Sequence, residues 1–191
     1  MTPVPRSTPR QRLIDAAADL FYRKGIGAVG VDLVSKAAGV SKRTLYQQFG
    51  SKEQLVAEAL DARGEEIISW YLGHGDDTGR PPRQDILAVF DRLSDLMTAD
   101  FFRGCPFINT VTELADPRHP ACTVAVAWKE RVREHFRAQA VRGGAGNPQR
   151  LASQLLALFD GAIVATVMGT PLPLDALQAA AETLLDAQGV R

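Results

Sequence analysis

With 191 residues and 46% apolar side chains, the chain is long and apolar enough to bury a core in one or two domains. Its longest apolar run, residues 162–168 broken only by Thr166, is far short of the ~20 residues a bilayer crossing needs, so no membrane span is expected. Zero formal charge argues at first against a nucleic-acid partner, but residues 1–60 carry nine Lys/Arg against five Asp/Glu while the rest carries thirteen against seventeen, which points to an N-terminal part that meets a polyanion.

Residues 1–8, with Pro3 and Pro5, read as a flexible arm without a secretory apolar core. Thr8 caps a helix that begins at Pro9, carries Leu13, Ile14, Ala17, Leu20 and Phe21 as an apolar stripe, and stops at Gly25. Gly25, Gly27 and Gly30 have the G-x-G-x-x-G spacing of dinucleotide-binding turns. That mechanism needs a strand just before the glycines, and here a helical pattern precedes them, so the stretch is expected to be a loop and no cofactor is expected.

Residues 31–38 form a first short helix, Gly39-Val40-Ser41 a turn, and residues 42–49 a second short helix. Gly39 suits the left-handed conformation that closes a helix, and the Ser41 hydroxyl can cap the next one. This is helix-turn-helix grammar. At about 100° per residue, Leu45 and Phe49 share one face while Arg43, Thr44, Gln47 and Gln48 share the other. Arg and Gln have the geometry for paired hydrogen bonds to guanine and adenine edges in a major groove. Tyr46 on the flank suits a phosphate contact, which positions without specifying. Ser51-Lys52-Glu53-Gln54 then has the form of a capping box and sets Lys52 at a helix start.

One helix is expected from Ser51 to about Tyr71, with Leu55, Ala59, Leu60, Ile67 and Trp70 on its stripe, and residues 73–82 as an exposed connection. The next helix opens at Pro82 or Arg83 with Ile86, Val89, Phe90, Leu93, Leu96 and Met97 at helical spacing. A short helix over 107–115, a long one over 121–142 and two more over 149–168 and 174–188 complete about nine helices. The fold class expected is all-α, with a three-helix DNA-binding domain over 1–52 and a larger helical domain over 53–191.

Phe90, Met97, Phe101, Phe107 and Trp128 are aromatic or soft residues in the middle of the chain, with Asn109, Thr112 and Glu113 as polar neighbours. Ligand pockets are mostly apolar with a few placed polar groups, which is this mixture, although an aromatic stripe of this kind is equally the pattern of plain core. No Arg or Lys falls on the inward stripes, so a small molecule held there is expected to be apolar and either neutral or cationic. Residues 151–168 are apolar on nearly every face, and a second stripe follows in the last helix. Leu155, Phe159, Ile163, Val167, Leu177 and Leu184 are therefore expected at a homodimer interface. His74, His119 and His135 are scattered, and neither Cys has metal or redox spacing, so no metal site and no catalysis are expected, and a reducing cytoplasm suits the chain.

The run Ala38-Gly39-Val40-Ser41-Lys42-Arg43-Thr44-Leu45-Tyr46-Gln47-Gln48-Phe49-Gly50-Ser51-Lys52-Glu53-Gln54-Leu55 closely resembles the DNA-binding module of the TetR family of bacterial transcriptional repressors. The close part covers about residues 8–60. The resemblance implies a homodimer that binds double-stranded operator DNA and is released by an effector held in the larger domain. It places Arg43, Thr44, Gln47 and Gln48 at bases and Ser41, Lys42, Tyr46 and Lys52 at the DNA backbone. Gly30 departs from the family pattern, which often has Ser or Thr just before the first short helix and uses its hydroxyl on a phosphate. Two other readings share these residues: an effector-independent activator or architectural protein, and more remotely an all-helical enzyme or carrier.

Overall fold

A computed structural model describes residues 7–73 and 79–191. The expected arm through residue 6, His74 and the connection over 74–78 lie outside the described residues, as does the side chain of Leu174. The described residues form ten helices and no strand: α1 (Pro9–Lys24), α2 (Val31–Ala38), α3 (Lys42–Phe49), α4 (Lys52–Ala62), α5 (Gly64–Leu72), α6 (Pro82–Met97), α7 (Pro106–Leu114), α8 (Pro120–Arg142), α9 (Pro148–Val167) and α10 (Leu174–Ala187). The count is nine if α4 and α5 are taken as the one helix expected over 51–71. That helix breaks where Arg63 turns to φ −96° and ψ −6° and Gly64, a weak helix former, follows.

The chain divides into two compact units. The first comprises residues 1–64 and 106–126, the second residues 65–105 and 127–191. These units differ from a boundary at residue 52, because α4, α7 and the start of α8 all belong to the first.

In the first unit, α1 starts at Thr8, whose hydroxyl accepts from the Gln11 amide at 3.1 Å. Arg23 and Lys24 lie in its last turn, where cations complement the helix dipole. Leu13, Ile14, Ala17 and Phe21 are buried against Val29, Val34, Leu45, Phe49, Leu55 and Ala59 in one cluster that also takes in Ala121. Burial of a leucine of this kind stabilises by about 1.5–3 kcal/mol. Helices of eight residues such as α2 and α3 have little stability of their own, so this shared core holds them.

The second unit is built on aromatic packing. Tyr71 meets Phe159 edge-on at 5.0 Å, and Phe90 stacks on Phe136 at 5.9 Å. The α9 N-terminus is capped by Asn147, whose side-chain oxygen accepts from the Arg150 amide at 3.0 Å. Gly143 is sterically required, since a Cβ there would lie 2.7 Å from the Val190 side chain. By length and composition alone α9 could cross a bilayer, although no run of the sequence is apolar over that length. Its Leu151, Ala152, Leu155, Phe159, Ala162 and Ile163 are buried in the unit's own core.

Candidate nucleic-acid interface

The turn between α2 and α3 is closed by Gly39 at φ 63° and ψ 38°, the left-handed region that costs a side-chain-bearing residue most. The Val40 amide returns to the Ser35 carbonyl at 3.0 Å, satisfying one of the free carbonyls at the end of α2. Arg12 secures the same end, donating from Nε to the Ala38 carbonyl at 3.0 Å. Ser41 then caps α3, its hydroxyl accepting from the Thr44 amide at 3.1 Å. Ser51 repeats the device on the Gln54 amide for α4.

With Leu45 and Phe49 buried, the rotation of α3 is fixed. Arg43, Gln47 and Gln48 stand exposed on its outer face, with Tyr46 exposed beside them. Thr44 is half-buried and its hydroxyl lies 2.9 Å from that of Ser41. Lys42 pairs with Asp32 of α2 at 2.6 Å, and the carboxylate raises the lysine pKa through their hydrogen bond and opposite charge. The Lys52 ammonium donates to the Ile26 carbonyl at 2.7 Å and lies 6.0 Å from the centre of the Phe21 ring. Arg10 pairs with Glu58 and covers the Phe49 ring at 5.2 Å.

Arg12 and Asp32 are among the residues at this face that sequence reasoning did not single out. An arginine reaching a helix end 26 residues away leaves no local signature. Asp32, at the start of α2, could have been noticed as an acidic residue in a first helical turn beside the turn of the motif.

The expected effector residues divide between the two units: Phe107, Asn109, Thr112 and Glu113 in the first, Phe90, Met97, Phe101 and Trp128 in the second. The inward face of α7 is made by Phe107 and Thr110, both buried. Thr112 and Glu113 are exposed, and the Glu113 carboxylate accepts from the Gly27 amide at 2.6 Å. Phe101 is 52% exposed and lies against Trp70 at 6.1 Å between ring centres. Phe90 is core, Met97 sulfur accepts from the Thr166 hydroxyl at 3.1 Å, and Trp128 is covered by the Arg131 guanidinium at 4.3 Å. The expectation that no cation faces inward is corrected by Lys129, which is largely buried, pairs with Asp160 and sits 5.0 Å from the centre of the Phe159 ring. Burial pushes the Asp160 carboxyl up, and Lys129 partly offsets this.

Four of the six residues expected to meet a partner copy, Leu155, Phe159, Ile163 and Leu177, are buried in the core of their own second unit. Val167 is 57% exposed and Leu184 half-buried. Val164, Met168 and Leu172 are exposed with Val167, so the outward stripe of α9 is rotated from the one expected.

A short helix that is locked by two buried residues, presents Arg43, Gln47 and Gln48 and follows a glycine-closed turn defines a helix-turn-helix DNA-binding domain. The family model for bacterial regulatory proteins of the tetR family matches residues 13–59. A solved TetR-type transcriptional regulator from Streptomyces avermitilis is 41% identical over 97% of this chain and 100% of its own, with a TM-score of 0.88. A TetR-family regulator from Streptomyces coelicolor is 26% identical over 95% and 96% of the two chains, with a TM-score of 0.81. The chain belongs to the TetR family and is a DNA-binding transcriptional regulator. Among curated relatives, the transcriptional activator FasR of Mycolicibacterium smegmatis is 38% identical over 51% of this chain and 44% of its own length. The repressor KstR2 of the same organism is 30% identical over 47% and 43%. The matched part thus spans less than half the length of these two relatives.

Proposed function

We propose that the chain is a homodimeric repressor that reads its operator with Arg43, Gln47 and Gln48 and is released by a small apolar effector. The observation that carries the DNA-reading part is the outer face of α3, where three long side chains with multiple donors are exposed beside a fixed helix axis. Ser41, Lys42 and Tyr46 border that face and hold the DNA backbone in this reading, with Lys52 reserved mainly for the loop that it already grips. Dimerisation rests on the exposed apolar stripe of α9, Val164, Val167 and Met168, continued by Leu172. A two-fold pair of such stripes buries area that a single chain leaves wet, and it sets two readers at a fixed spacing on successive turns of DNA.

The effector reading rests on Phe90, Met97, Phe101 and Trp128 of the second unit. Glu113 drops out as an anchor because the Gly27 amide holds it, and Lys129 is committed to Asp160. A neutral apolar molecule fits those residues better than a charged one, since a multiply anionic ligand would find no uncommitted cation among them. Release follows if the effector prefers a shape in which two readers no longer match the operator, with a coupling equal to that preference.

Selection of binding sites from random DNA, followed by operator titration of the full chain with and without a panel of neutral apolar compounds, tests the whole reading. The expected result is a two-fold symmetric site and at least one compound that raises the operator Kd. If every active compound lowers it instead, the molecule promotes DNA binding and the release reading is overturned. A chain that selects no sequence would remove the proposal.

A further inference from the structure

Gly25, Gly27 and Gly30 have a spacing associated with anion cradles, and the DNA-reading row does not account for it. In the first unit this loop does receive an anion, supplied by the chain itself. The Glu113 carboxylate lies 2.6 Å from the Gly27 amide. A Cβ on Gly25 would lie 3.0 Å from the same carboxylate oxygen, and one on Gly27 3.3 Å from it, so both glycines leave the room it occupies. The carbonyl of the same peptide group, that of Ile26, accepts from the Lys52 ammonium at 2.7 Å.

One peptide group is therefore gripped at both poles. The carboxylate of α7 meets its N–H end and the ammonium of α4 meets its C=O end, each matching the peptide dipole. Charge-assisted bonds are the stronger kind, and two on one peptide polarise it in the same sense. Ile26 and Val29 on either side are buried, which anchors the loop immediately before Gly30 and the start of α2.

We propose that Glu113 is a positioning residue for DNA reading. By clamping the Ile26–Gly27 peptide against Lys52 it sets the α1–α2 loop, and through it the placement of α2 and α3. A displacement of α7 then loosens the loop that leads into the reader. The inference rests on the DNA-binding function alone and not on the repressor or effector reading.

The test uses the full-length chain and the operator duplex selected from random DNA. In Glu113→Ala, the Gly27 amide should exchange with solvent about tenfold faster and shift its resonance, and operator affinity should fall about fivefold, measured well below the melting temperature. Glu113→Gln, which keeps an acceptor oxygen, should recover most of both. Gly27→Ala crowds the same carboxylate, so it should weaken operator binding in the parent chain and add little in the Glu113→Ala background. Unchanged Gly27 exchange and operator affinity in Glu113→Ala, or full additivity with Gly27→Ala, would overturn the proposal. Failure to select any operator would instead count against the reader itself.

Discussion

Gly30 stands at the N-terminus of α2 with φ −84° and ψ 161° and makes no side-chain cap. Thr8 at φ −63°, ψ 157° and Ser41 at φ −75°, ψ 153° have nearly the same backbone, and each hydroxyl accepts at 3.1 Å from an amide three residues on. A Cβ on Gly30 would meet nothing within 4 Å. Gly30→Ser should therefore place a hydroxyl where the Leu33 amide, now 3.1 Å from the Gly30 carbonyl, can reach it. Serine caps better than glycine by a few tenths of a kcal/mol, and removing glycine's freedom from the unfolded chain adds about 0.4–1 kcal/mol, so the gain is about 1 kcal/mol. For a chain of this length that raises the melting temperature by about 2–4 °C, read by calorimetry. The same hydroxyl faces the DNA backbone in the family pattern, so operator affinity should rise while the slope against salt stays the same, because no charge is added. A melting temperature equal to or below that of the parent chain would refute the capping argument.

Arg43→Ala should cost about 1–3 kcal/mol in operator binding and relax base preference at one position per half-site, which repeated site selection would reveal. Asp32→Asn releases Lys42 from its ion pair and removes a negative charge beside the reader, so binding to all sequences should tighten about equally; a gain confined to the operator would contradict this. Val167→Glu places a charge on the exposed stripe of α9 and should give folded monomers in sedimentation, with weakened operator binding. Ile163→Glu, four residues earlier on the buried side, should instead lose the cooperative melt, because its charge has no partner in that core. If Val167→Glu stays dimeric, the stripe is not the interface.

The helix-turn-helix was legible because its determinants are local. Gly39, Ser41 and Ser51 close and cap helices through bonds that span three to five residues, and the positions of Leu45 and Phe49 alone set the rotation of an eight-residue helix. Composition likewise marked the basic N-terminal part, and helical spacing marked the elements. The orientation of α9 was not legible, because a helix apolar on nearly every side has no unique inward face until its neighbours choose one. Only the tertiary structure put Ile163 inside and Val164 outside. Nor did the residues around Glu113 announce that its carboxylate binds Gly27, since that contact joins positions 86 apart and neither residue's neighbours encode it. A capping hydroxyl finds its partner within one turn of its own chain, whereas a carboxylate on a helix surface takes whatever donor the fold brings to it.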